Sequence, residues 1–208
     1  MKITILDRIL LLIMCHVAGY QIITGVEGLD ALPMIAYTVG FGVLLVAGLL
    51  LIILGFEVLD SPVVVIVSTI IPLSLSLGLV WEHLASLRTG YLLFAILGFL
   101  AVTVTRLLPF RSKGDITSPL PVLTLAVVHG IAGLTIFLLP ILWALTGRAA
   151  PGFALVGVGG ALIGIGGLLL SFLKAGKPLL SRATILKVLP GLLLLMTAAF
   201  VAGFAFAG

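Results

Sequence analysis

Of the 208 residues, 62% are hydrophobic and only 9% are charged, and the mean hydropathy is +1.44. So little charge cannot cover a soluble domain of this size. Apolar runs of ~20 residues, the length a helix needs to cross hydrocarbon, recur throughout and do not alternate as β-barrel strands do. The net charge of +4 sits in short connections between those runs, where it reports topology and excludes a nucleic-acid-binding surface.

The fold class expected is therefore all-α: a polytopic integral membrane bundle of about seven helices in one transmembrane domain. The spans fall near 9–26, 33–55, 62–81, 88–108, 120–146, 152–174 and 185–207. Between them lie Gly, Pro, Asp and Ser-rich connections with ordinary turn chemistry. Lys2 and Arg8 before an apolar run resemble a signal peptide. Asp7 is out of place in such a leader, and no small-residue cleavage site follows, so the segment is expected to stay as the first helix. Cys15 is the single cysteine and has no internal disulfide partner.

The first span carries His16 in "IMCHVAG", ~12 Å beyond Arg8 at the rise of an α-helix. The fifth carries His129 in "VVHGIAG", ~14 Å past Leu120, running in the same direction. Both histidines have glycine nearby, with Gly19 and Gly133 on the histidine's own side of the helix. Two neutral imidazoles at matching depth are candidate cofactor ligands, with haem b as the group they suit. Ionisable groups inside spans are functional candidates by default. The alternative is that each histidine hydrogen-bonds a neighbouring helix.

The connection after the second span holds Glu57 and Asp60, and Asp60-Ser61-Pro62 reads as an N-cap followed by proline in the first turn. Glu57 opposes the dipole of the preceding helix and is a candidate interfacial residue. In the third span, Ser74 and Ser76 follow Pro72, which frees a backbone carbonyl. With Pro190 in the seventh span, they outline a possible transport path. Hydroxyls that satisfy their own helix are the plainer alternative. The span ends in "WEHLASLR", where Trp81 anchors an interface and Glu82 and His83 are candidate interfacial groups. Glycine dominates the sixth span, and Gly160 with Gly164 makes a GxxxG spacing, a face for internal packing or for a homo-oligomer or membrane-complex partner.

Sliding residues 33–81 onto 151–199, at an offset of 118, pairs Pro33 with Pro151, Gly42 with Gly160, Gly48 with Gly166 and Pro72 with Pro190. This predicts two parallel three-helix repeats, 1–81 and 120–208, joined by a connector span at 88–108. That layout resembles the SWEET type of sugar transporter in topology alone. The proline-rich signatures of that family have no counterpart here, so the resemblance carries no substrate.

Nine Lys and Arg fall on the side of the N-terminus and two, Arg88 and Arg148, on the other. The bias predicts a cytoplasmic N-terminus and an outside C-terminus, in the plasma (inner) membrane of a prokaryote. No hydrolase triad, HExxH pair or nucleotide loop occurs, so the expectation leans away from an enzyme. Two functions remain: a haem- or cofactor-binding electron-transfer membrane subunit with His16 and His129 as ligands, and a small-solute transporter or permease. A non-catalytic scaffold subunit is a third.

Overall fold

The computed structural model describes residues 3–26, 28–108, 120–174 and 179–206, and within helix six the side chains of 168 and 170–174 are not described. The connections that carry Arg111, Lys113 and Lys177, like Lys2, lie outside these residues. Seven α-helices and no strands occur among the described residues: α1 Ile5–Thr24, α2 Ala31–Leu54, α3 Pro62–His83, α4 Arg88–Leu107, α5 Leu120–Leu145, α6 Ala154–Lys174 and α7 Arg182–Phe204. All but α6 are long and apolar enough to cross a membrane, and α6 is a further apolar helix.

Polar chemistry sets the ends. α1 begins earlier than the apolar run because Thr4 and Asp7 form a capping box: the Asp7 backbone N–H donates to Thr4 Oγ1 at 3.2 Å, and the Thr4 N–H donates to Asp7 Oδ2 at 2.8 Å. That box explains the acid that looked misplaced. At the start of α3 the cap is Ser61, through its backbone alone, with Pro62 in the first turn. The Asp60 carboxylate instead accepts from Arg182 Nη2 at 2.8 Å, across to the start of α7.

Consecutive helices run antiparallel. Gly48 of α2 faces Met14 and Cys15 of α1, Gly98 of α4 faces Val128 of α5, and Gly166 of α6 faces Leu192 of α7. The end where the odd-numbered helices start is called the near end here, and the other the far end. α1 packs on α2 and α7, α3 on α2, α4 and α5, and α6 on α5 and α7. Six helices thus close a ring in the order α1, α2, α3, α5, α6, α7, and α4 lies outside it against α3 and α5. Exchanging α1–α3 with α5–α7 maps the ring's neighbour relations onto themselves. These groups of three are called the first and second halves below.

The centre is filled by Phe41, Leu75, Leu79, Ile136, Met196 and Phe200, each at most 1% exposed. Large apolar side chains such as Ile23, Ile53 and Leu145 cover the outer face. In lipid those outward residues gain little by burial, so the ring is held by close packing rather than by exclusion of water. Gly48 is one such approach: a Cβ there would stand 2.6 Å from the Cys15 sulfur.

Candidate functional site

At the far end a polar group is enclosed where the halves meet. Tyr37, one and a half turns into α2, is 3% exposed and donates its hydroxyl to Glu82 Oε2 at 3.3 Å. Its ring lies against Gly78 of α3, where even a Cβ would collide with it. Glu82 and His83 close α3, with side chains 19% and 12% exposed. His83 Nε2 lies 3.8 Å from Glu82 Oε2, beyond hydrogen-bond length, and has no other partner. A carboxylate, a phenol and an imidazole nitrogen without a hydrogen bond among the described residues thus lie close together among aromatic rings.

The walls come from the second half. The His83 ring packs edge-on to Phe153, 5.1 Å between centroids, and tilts over Trp143 at 6.1 Å. The Tyr37 ring packs, tilted by 47°, against Phe204 of α7, with 4.5 Å between centroids. The rim is cationic: the Arg88 guanidinium lies 5.5 Å over Trp81 and the Arg148 guanidinium 5.1 Å over Trp143. Arg88 Nε also donates to the Trp81 carbonyl at 2.5 Å, which pins the tight turn into α4. Both arginines are thereby held on tryptophan, an arrangement worth about 0.5–1 kcal/mol at exposed sites.

The structure does not bring His16 and His129 together. His16 is exposed on the outer face of α1, beside Leu45 and Leu49 of α2. His129 is half-buried on α5 and faces Arg106 of α4. Its ring sits one turn above the Leu125 carbonyl, yet no acceptor lies in hydrogen-bonding geometry to Nδ1. α1 packs on α2 and α7, whereas α5 packs on α3, α4 and α6. No group of three His, Cys, Asp or Glu able to hold a metal occurs among the described residues.

The serines divide as well. Ser76 is fully buried, and its hydroxyl donates to the Pro72 carbonyl at 2.6 Å and the Leu73 carbonyl at 3.2 Å. Ser74 opens instead onto a shallow apolar groove of about 300 Å³ between α3 and α4. Pro190 is buried in α7, and Glu57 is exposed in the turn Phe56–Asp60. Of the Gly-rich helix, Gly157 and Gly160 press on α5 and Gly159 and Gly166 on α7, while a Cβ at Gly164 or Gly167 would meet nothing within 4 Å among the described residues.

Tyr37, Trp143 and Phe153 are parts of the site that inspection of the sequence passed over. The usable signal was Tyr37 itself, since a tyrosine inside an apolar run needs a partner for its hydroxyl. A second phenol behaves alike: the Tyr91 hydroxyl donates to Thr135 Oγ1 at 3.2 Å and ties α4 to α5. No family model, curated protein or solved structure matches this chain.

Proposed function

We propose that the protein is a small-solute carrier built from two parallel three-helix halves, 1–81 and 120–208, with α4 as connector and Tyr37, Glu82 and His83 as its solute-contacting groups. One observation carries this reading: the first half supplies the phenol, carboxylate and imidazole at the far-end junction, and the second half supplies the aromatic wall that closes it. Carriers made of repeats hold their solute where the repeats meet, and rocking of one against the other exposes it. The ring whose neighbours are unchanged on exchanging the halves supports such a repeat. Half-buried ionisable side chains at a span's end, costly to keep, support a role in binding.

The chemistry narrows the solute. A carboxylate only accepts hydrogen bonds, and the free imidazole nitrogen can accept another. The site therefore suits a solute that presents donors, such as a primary amine. The lysine and arginine bias makes the near end cytoplasmic, so that the site faces outward in a prokaryotic plasma membrane. A haem shared by His16 and His129 lacks comparable support, because the two helices have different neighbours.

The test is uptake of labelled small amines and amino acids by proteoliposomes holding the purified protein. Saturable uptake of at least one of them, lowered about tenfold or more in Glu82→Gln and unaffected in Glu57→Gln, is expected; the loss corresponds to one charge-assisted hydrogen bond. Equal uptake by wild type and Glu82→Gln would remove the site, and no uptake of any compound would remove the carrier.

A further inference from the structure

The face of α1 that looks away from the bundle runs through Ile5, Ile9, Leu12, His16, Tyr20 and Ile23, all exposed and spaced three or four residues apart. Four of the six are ordinary lipid-facing residues. The other two are not. His16 Nδ1 lies 2.8 Å from the Leu12 carbonyl oxygen. A carbonyl can only accept, so the proton sits on Nδ1 and Nε2 keeps its lone pair. That nitrogen has no hydrogen-bond partner among the described residues, and His16 is roughly midway along α1, where neither water nor headgroups supply a donor.

Tyr20 carries the matching group. Its side chain is 60% exposed, and its hydroxyl makes no hydrogen bond among the described residues. Helical side chains lean toward the N-terminus, which carries that hydroxyl back toward the level of His16. Within one chain the two do not meet, because the imidazole is drawn down a turn onto Leu12. One patch therefore presents an unused acceptor and an unused donor. That is what an isologous interface requires, since the same patch must serve as both partners.

The ring gives a second reason. α5 holds the place in the second half that α1 holds in the first, and α4 is laid against α5. On that covered helix His129 faces Arg106 of α4. No eighth helix covers α1 among the described residues. Beside His16, a groove of about 500 Å³ between α1 and α2 is lined by Gly19, Leu45 and Leu49. A Cβ at Gly19 would make only an ordinary 3.4 Å contact with Leu45, so packing within the chain does not demand glycine there. A small residue at that point does let another helix approach closely.

We propose that this face of α1 seats a second copy of the chain in a two-fold dimer, with His16 Nε2 accepting from the Tyr20 hydroxyl of the second copy, twice by symmetry. The second copy does for α1 what α4 does for α5. The dimer is independent of the carrier reading, and neither depends on the other's outcome.

The experiment is energy transfer between donor- and acceptor-labelled full-length protein in bilayers, over a range of protein-to-lipid ratios. Wild type is expected to associate reversibly. His16→Phe and Tyr20→Phe should each weaken association about tenfold, the scale of two hydrogen bonds between helices in lipid. The double variant should be no weaker than either single one, because both remove the same two bonds. His129→Phe should associate like wild type. Tyr20→Phe deletes one oxygen from a lipid-facing ring, and unchanged far-UV circular dichroism would show that the fold is intact. Three results would each overturn the proposal: a monomer at every ratio, association unaffected by both variants, or a Soret band in the purified wild type that His16→Phe abolishes. In the last case the free nitrogen holds a tetrapyrrole metal instead.

Discussion

The helix pairs α2–α3 and α6–α7 occupy matching places in the ring, and both use an aromatic ring against a glycine to bring their backbones together. In the first pair the ring is on the earlier helix, Tyr37 against Gly78. In the second it is on the later one, Phe200 against Gly159, where a Cβ would stand 2.5 Å from the ring. In the register that pairs Pro72 with Pro190, Glu82 corresponds to Phe200 and Tyr37 to Leu155. One packing device thus serves two chemically opposite ends. The first pair needs its ring hydroxyl to hold a carboxylate, and the second buries a ring that has no polar atom at all. Matching neighbour relations in the ring therefore frame an uneven far end, with its carboxylate, phenol and imidazole from one half and its aromatic wall from the other.

That contrast can be broken most severely by making the second half copy the first. Phe200→Glu puts a carboxylate at a position that is 0% exposed, without a tyrosine to meet it. An unpaired buried charge and the lost ring should cost about 3–5 kcal/mol, seen as failure to fold or a large drop in the thermal midpoint in detergent. Overfilling either ring slot comes next. Gly78→Leu and Gly159→Leu should each destabilise by about 1–3 kcal/mol. Similar losses for the two would support a shared device, and a loss in only one would end the equivalence. Tyr37→Phe removes only the hydroxyl and should lower stability by about 0.6 kcal/mol, the mean for such bonds in membranes, while uptake falls further than stability does. The smallest effect belongs to the near end. Asp60→Asn weakens an ion pair between the halves whose side chains are both 57% exposed, worth about 0–1 kcal/mol, and added salt should mask it.

Much of the architecture was legible because hydrocarbon length and turn chemistry write directly into the residue order. All seven helices lie within a few residues of the apolar runs, apart from α1, whose start was set by the polar Thr4–Asp7 box rather than by hydropathy. Position along a helix follows from residue order alone, and His16 and His129 lie eleven and nine residues past Ile5 and Leu120. Direction around the helix axis does not. That position is a property of one helix, whereas the face a residue presents depends on which helices are neighbours, and packing decides that. The same limit hid Tyr37 and its pairing with Glu82, 45 residues away and met only once α2 and α3 lie side by side. It also made Ser74 and Ser76 look like one path, although one opens on a lateral groove and the other is spent on its own backbone.

The sulfur packed under Gly48 has a practical side. Cys15 is the chain's one cysteine, is 6% exposed, and donates its thiol to the Leu45 carbonyl at 3.5 Å. A sulfur shut among packed helices is out of reach of water-borne reagents. Maleimide reagents should therefore pass it by in the folded protein. The natural sequence then already works as a quiet background for spectroscopy. A probe placed at Thr89 and another at Ser181 would report, with no further engineering, whether the far end of α4 and the near end of α7 ever change their spacing.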